Sequence, residues 1–349
     1  MTENKNIPVL VAGPCAAESE KQVLDTARVL QTLGVPVRYF RASAWKPRSQ
    51  PGSFEGVGAQ ALSWLAYVQR EMGWEGCTEV AKPEHLDLCE QQGIRAVWVG
   101  ARTTVNPFLT EELARAARGR DLTVMIKNPV MPDLKLWIGA IERFERAGIS
   151  RLFAIHRGVA DPHETVYRNF PCWELAIDLK VHLPQLPLLC DASHIAGQRP
   201  FLREISNTAL QLGFDGLMLE THINPLQAKS DALQQLSPDE LFKLWNSLFF
   251  KNTDTTCTED ILRKQRALIM HIDTQIARLL KQRIEKIEEI AELKKEHDLP
   301  IVHPAQFNKI RDIYIQNGLQ DNGYKCFIND FLELLHKHSI SRQQTKKEI

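Results

Sequence analysis

The chain has 349 residues and a formal net charge of +0, from 43 basic and 43 acidic side chains. That balance argues against a general nucleic-acid or membrane-surface binder, which needs a basic excess. A hydrophobic content of 44% is enough for a proper core, and the length suits one large domain plus a smaller one.

Residues 7–13 (IPVLVAG) read as a buried strand closed by Gly13-Pro14, and a helical pattern with Val23, Ala27, Leu30 and Leu33 apolar follows. Strand 37–42 precedes a helix over 57–71, and strand 76–81 precedes a helix opened by Pro83. The pattern repeats with strand 96–101 and helix 108–118, then strand 123–128 and helix 133–147. Strand 152–158 leads to helix 172–181, strand 187–191 to 199–212, and strand 216–222 to 238–250. Strands alternating with helices imply a parallel sheet, and this many units in about 250 residues predict a (β/α)8 TIM barrel, an α/β fold. An open doubly wound sheet would want Gly-x-Gly-x-x-Gly after the first strand, which Gly13-Pro14-Cys15 is not.

Nearly every predicted strand ends on an ionisable group inside an otherwise apolar run. Cys15 follows the first strand, and Arg41, Lys46 and Arg48 follow the second. Glu79, Arg102, Lys127 and Arg157 end the next four, Asp191 and His194 the seventh, and Glu220 and His222 the eighth. In a barrel these ends converge on one face, where such enzymes keep their chemistry. The stretch 41–58 adds Pro47 and Ser49 to its cations, with Pro47 stiffening the turn. So many cations exceed the need of one phosphate, and imply two phosphorylated substrates or a phosphate with a carboxylate. Cys15, His194, Glu220 and Asp231 are candidate ligands of a divalent first-row metal. Mn is the first expectation, with Fe, Co and Zn the alternatives.

Six short motifs appear in order: Gly13-Pro14-Cys15, Lys46-Pro47-Arg48-Ser49, Gly100-Ala101-Arg102-Thr103-Thr104, Asp191-Ala192-Ser193-His194, Leu219-Glu220-Thr221-His222 and Ser230-Asp231. Together they resemble the 3-deoxy-D-arabino-heptulosonate 7-phosphate (DAHP) synthase family, in its short form, over about residues 7–250. The resemblance implies condensation of phosphoenolpyruvate with erythrose 4-phosphate in the shikimate pathway. It implies metal binding by Cys15, His194, Glu220 and Asp231. Arg102, Lys127 and Arg157, with Arg41 and Lys46, would hold phosphoenolpyruvate, and Lys46, Pro47, Arg48 and Ser49 the erythrose phosphate. Glu79 is expected to stabilise a cationic carbon. His156, Ala192 and Asn128-Pro129 depart from the family's common pattern. A related octulosonate phosphate synthase, which takes a longer sugar, has a similar pocket.

Residues 251–258 read as a polar linker. From 259 to 297 there is no Pro or Gly, and Ile269, Ile272, Ile276, Leu279, Leu280, Ile287 and Ile290 recur at helical spacing. A helix of that length, about 58 Å, exceeds a small domain and predicts a homodimer. Two more helices are expected over 304–317 and 324–343. Arg283 follows Ile276 by one heptad, and Lys294 lies about 20° from it on the helical wheel. This all-α domain, 259–349, resembles the all-helical chorismate mutases. By that resemblance Arg266, Arg283, Lys294, Ser339 and Gln343 bind chorismate, Arg266 serving the other subunit's site, and Lys294 and Gln343 address the ether oxygen. His303, Gln306 and Phe307 depart from that pattern. Fusion of the two activities predicts feedback by prephenate.

The seven cysteines are widely spaced without a Cys-x-x-Cys pair, which fits a reducing compartment. With no signal-like start and no apolar run of spanning length, a cytoplasmic location is expected.

Overall fold

The computed structural model describes residues 7–47, 52–162, 164, 166–248, 257–300, 309 and 322–348. The chain divides into two compact units, Met1–Leu268 and Ile269–Ile349.

The first unit is a closed parallel barrel with strands in sequence order, the eighth pairing back to the first. The strands are β1 (Val9–Gly13), β2 (Tyr39–Arg41), β3 (Glu75–Val80) and β4 (Ala96–Val99), then β5 (Thr123–Lys127), β6 (Arg151–His156), β7 (Leu188–Asp191) and β8 (Gly216–Glu220). Around them run α1 (Glu20–Thr32), α2 (Gln60–Met72), α3 (Pro83–Gln91), α4 (Ala101–Thr104) and α5 (Pro107–Ala117). Next come α6 (Leu134–Arg146), α7 (Trp173–His182), α8 (Ala192–Ala196), α9 (Leu202–Gln211) and α10 (Pro238–Asn246). Side-chain caps start several of these helices. Ser19, Asn106, Asp133 and Asp191 accept backbone N–H bonds, and Ser237 forms a capping box with Glu240.

Alternation along each strand sorts side chains into two apolar sets. Ala12, Phe40, Val97, Ile126, Ala154 and Leu217 pack outward against the helices. Val11, Tyr39, Cys77, Trp98, Met125, Ile155, Leu189 and Met218 fill the barrel interior. One step further along, at i+2, the inward positions become Gly13, Arg41, Glu79, Gly100, Lys127, Arg157, Asp191 and Glu220. Six of these eight carry an ionisable side chain and two are glycine, so the interior changes from apolar packing to charge-bearing groups within a single layer.

Several predicted boundaries move. Strand 37–42 shrinks to Tyr39–Arg41; at its start the Val37 N–H turns back to the Val35 carbonyl and does not meet a neighbouring strand. Strand 96–101 stops at Val99, since Gly100 caps the unexpected short helix α4. Strands 152–158 and 216–222 stop at His156 and Glu220. Helix 199–212 splits at Pro200 into a 3-10 turn, Arg199–Phe201, and α9.

The long C-terminal helix, α11, runs Cys257–Glu296 over 40 residues. The last one, α12, spans Asn322–Glu348. The predicted helix 304–317 lies outside the described residues apart from Lys309, as do residues 251–256 of the linker.

Candidate active sites

The ionised layer of the barrel opens into a cavity of about 410 Å3. Lys46, Pro47, Glu79, Arg102, Lys127 and Arg157 line it, with His194 and Asp231 opposite. Arg48 and Ser49 lie outside the described residues. Trp98 lies in the apolar layer beneath, with the Arg41 guanidinium 4.9 Å and the Lys127 ammonium 5.8 Å from its ring. Gly100 leaves room for Glu79, whose Oε1 would meet a Cβ there at 2.1 Å.

Arg41 is not a lining residue. It is 1% exposed, below the cavity, where Nη2 lies 3.1 Å from Glu220 Oε1 and donates to the Cys15 carbonyl. Lys127 Nζ donates to Asp191 Oδ2 at 2.6 Å. The other oxygen of Asp191 caps α8 through the His194 N–H. Burial alone would raise the Asp191 pKa, but the His194 ring beside it and the Lys127 and Arg41 charges outweigh it and hold the carboxyl well below its usual range. Burial brings the Arg157 guanidinium down to about 10, still protonated at neutral pH. Its Nη1 donates to Asn169 Oδ1.

On the opposite wall, ligand atoms of Cys15, Glu220 and Asp231 all lie within 4.8 Å of one another. The Cys15 thiol donates to Asp231 Oδ2 at 2.9 Å and accepts from Lys46 Nζ at 2.9 Å. Burial, then the Glu220 charge, pushes that thiol up to about 12. His194 Nδ1 sits 3.7 Å from Glu220 Oε1 and 2.9 Å from Asp191 Oδ2. Burial brings its pKa down to about 4, so the imidazole is neutral. Neither His194 Nδ1 nor Glu220 Oε1 makes an aligned hydrogen bond. A thiol, a neutral imidazole and two carboxylates suit a divalent cation. Asp231 itself has φ 53, a left-handed conformation that costs a non-glycine residue energy and recurs at functional sites.

Sequence reasoning missed four residues here. Arg168 Nη1 reaches Asp231 Oδ1 at 2.8 Å and Gln234 Oε1 at 2.6 Å. Asn169 donates to the His194 carbonyl. Gln234 donates to Glu220 and Gln235 accepts from the Cys15 backbone N–H. None ends a strand or interrupts an apolar run; the nearest signal was the proximity of Gln234 and Gln235 to Ser230-Asp231. His156, a departure from the family pattern, faces the helices: its ring packs among Trp137, Trp173 and Phe214, and Nε2 donates to the Pro171 carbonyl.

In the second unit, contacts between described residues join α11 and α12. Arg283 Nη1 donates to Ser339 Oγ at 3.0 Å, Lys294 Nζ to Gln343 Oε1 at 3.1 Å, and Arg342 lies 3.5 Å from Glu288. Partners advance together in number, so the helices run in the same direction where they touch. Burial lowers the Lys294 pKa. Arg266, exposed on α11, is outside this group. Ile269, Ile272, Ile276, Leu279 and Ile290 are exposed, whereas Ile287 is buried.

Two family models match the chain: the DAHP synthetase I family over residues 2–255, and chorismate mutase type II over residues 265–344. A phospho-2-dehydro-3-deoxyheptonate aldolase of Thermotoga maritima is 29% identical over 235 residues, 67% of this chain and 66% of that relative, just under two thirds of its length. A 2-dehydro-3-deoxyphosphooctonate aldolase of Burkholderia mallei is 31% identical over 244 residues, 64% of this chain and 82% of the relative. The crystal structure of a Thermotoga maritima DAHP synthase superposes with a TM-score of 0.61 at 26% identity, covering 68% of this chain and 67% of that one. With a family model over most of its length and that model's barrel in its fold, the chain belongs to the DAHP synthetase I family, and a chorismate mutase type II domain follows the barrel in sequence.

Proposed function

We propose that the barrel condenses phosphoenolpyruvate with erythrose 4-phosphate to give DAHP and phosphate, and that the helical domain rearranges chorismate to prephenate. The observation that carries the first half is the cavity with Lys46, Arg102, Lys127 and Arg157 facing a thiol and two carboxylates grouped within 4.8 Å. The barrel domain is taken as residues 1–250, the linker as 251–258 and the mutase domain as 259–349.

Cys15, His194, Glu220 and Asp231 would hold a divalent metal, Mn first and Fe, Co or Zn next. When bound, the metal supplies Lewis acidity toward the erythrose aldehyde. Arg102, Lys127 and Arg157 bind the carboxylate and phosphate of phosphoenolpyruvate, with Arg41 steadying Glu220 from below. Lys46, Pro47, Arg48 and Ser49 hold the erythrose phosphate, so Lys46 sits between the two substrates. The enol π electrons form the new bond to the aldehyde carbon, and the carbonyl π pair moves to the aldehyde oxygen, which takes a proton. Water adds to the cationic carbon and loses a proton; the resulting hydroxyl then loses its own proton to give the ketone as the carbon–oxygen bond to phosphate breaks. The Glu79 carboxylate offsets the positive charge that develops at that carbon. A phosphate-release assay with both substrates, with and without chelator, tests this reading. A Cys15→Ala protein fully active in chelator would sink the metal assignment.

For the helical domain, Arg283, Lys294, Ser339 and Gln343 are the binding residues. They act by preorganised charge, without a nucleophile. The exposed Ile269, Ile272, Ile276 and Leu279 support a homodimer along α11, with Arg266 serving the other subunit. A chain that consumes no chorismate, yet whose synthase rate responds to prephenate, would make this domain a sensor instead. Prephenate feedback through it is part of the proposal.

The 31% identity to an octulosonate aldolase favours one further test. Turnover of a five-carbon aldose phosphate in preference to erythrose 4-phosphate would reassign the barrel. No described helix is long and apolar enough to cross a membrane. Cys15, Cys77, Cys89, Cys172 and Cys190 are free, in keeping with a cytoplasmic enzyme.

A further inference from the structure

Two adjacent glutamines stand behind the thiol–carboxylate group, and all their amide atoms are engaged. Gln234, 1% exposed, donates through Nε2 to Glu220 Oε2 at 2.7 Å and accepts through Oε1 from Arg168 at 2.6 Å. Gln235, 0% exposed, accepts the Cys15 backbone N–H at 3.0 Å and donates to the Ser230 carbonyl at 2.8 Å. The same Arg168 nitrogen holds Asp231 Oδ1 at 2.8 Å. That leaves Asp231 Oδ2 turned toward Cys15.

We infer that Gln234 and Gln235 are the positioning residues of the metal centre. Gln234 fixes the free oxygen of Glu220 and, through Arg168, the orientation of Asp231. Gln235 fixes the backbone of Cys15 against the residue that precedes Asp231. One dipeptide thus sets the relative placement of three ligands from distant parts of the chain, and limits Asp231 to one oxygen for the metal. This rests on the metal reading above. An apolar side chain at either position would leave a buried group without its partner and a ligand free to turn.

The test uses Co2+ as probe, titrated into the metal-free full-length chain. Two neutral, length-conserving variants, Gln234→Met and Gln235→Met, leave the charge of the site unchanged. Each is expected to weaken cobalt binding by about 10–100-fold and to shift the visible ligand-field bands. Gln234→Met should keep the Cys15-to-cobalt charge-transfer band in the near ultraviolet, and Gln235→Met should alter it. Circular dichroism of the metal-free proteins checks the fold, and a variant that folds decides for one that does not. Affinities within about twofold of wild type, with superimposable spectra, overturn the inference. A wild-type chain that takes up no cobalt overturns the metal reading itself, and it does so before any variant is made.

Discussion

The Lys46 ammonium lies 2.9 Å from the Cys15 sulfur and 3.7 Å from the Asp231 carboxylate. It therefore stands beside the donors that a divalent cation would use. Burial disfavours its charge, but Cys15, Glu220 and Asp231 outweigh that and raise its pKa. On the proposed reading, Lys46→Ala removes a cation that would compete with the metal and would also link the two substrates. Turnover is expected to fall by about 10³-fold, while metal affinity rises by about tenfold. Steady-state rates and a metal titration on the same sample check the pair of effects. A variant with both lower activity and weaker metal binding would contradict them.

Metal uptake should release close to one proton. The Cys15 thiol is pushed up to about 12, so it is protonated at neutral pH. His194, brought down to about 4, is already neutral, and Asp231 is held low. Only the thiol has a proton to lose, so affinity should rise by about tenfold per pH unit between pH 6 and 8. Calorimetry in buffers of different ionisation heat counts the proton directly.

Arg48 lies outside the described residues, but its expected role is specific. Arg48→Ala should raise KM for erythrose 4-phosphate by about tenfold or more while kcat changes little. Normal affinity for that substrate would refute the division of labour between Lys46 and Arg48.

His156 predicts acid sensitivity of the barrel. Burial brings its pKa from 6.5 down to about 4. Between those values the unfolded imidazole holds a proton that the folded one does not. Stability is therefore full above about pH 7 and lost as the pH falls through 6.5 toward 4. The loss is at most about 3 kcal/mol. His156→Phe should flatten that part of the profile, read by tryptophan fluorescence in denaturant at pH 7 and pH 5.

The legible part of the site had a simple physical mark. Arg41, Glu79, Lys127, Arg157 and Glu220 each put a charge inside or at the end of an apolar strand, where burial demands a reason. Strand parity also separates Arg157 from His156, because Ile155 and Arg157 share the inward face while Ala154 and His156 share the outward one. Arg168, Gln234 and Gln235 carry no such mark. They sit in loops, where a polar residue is the default. The Gln235 partnership with Cys15 spans 220 residues of sequence, so barrel closure creates it and local pattern does not. The end of β4 was misjudged by two residues because a short helix begins directly after Gly100, whereas the end of β7 at Asp191 falls where the pattern put it.

The single-layer change inside the barrel has a mechanical consequence. In six of the eight strands one residue seals the interior and the next inward one carries an ionisable group; β1 and β4 carry Gly13 and Gly100 there. A one-residue deletion within β5 would therefore swing Lys127 toward the helices and Ile126 into the cavity. Such a lesion would remove a substrate cation and bury an unpaired charge together. Substitutions that keep parity, such as Leu189→Met beneath Asp191, would leave the upper layer untouched. The strands can thus drift in packing while their chemistry stays fixed, but they cannot change length.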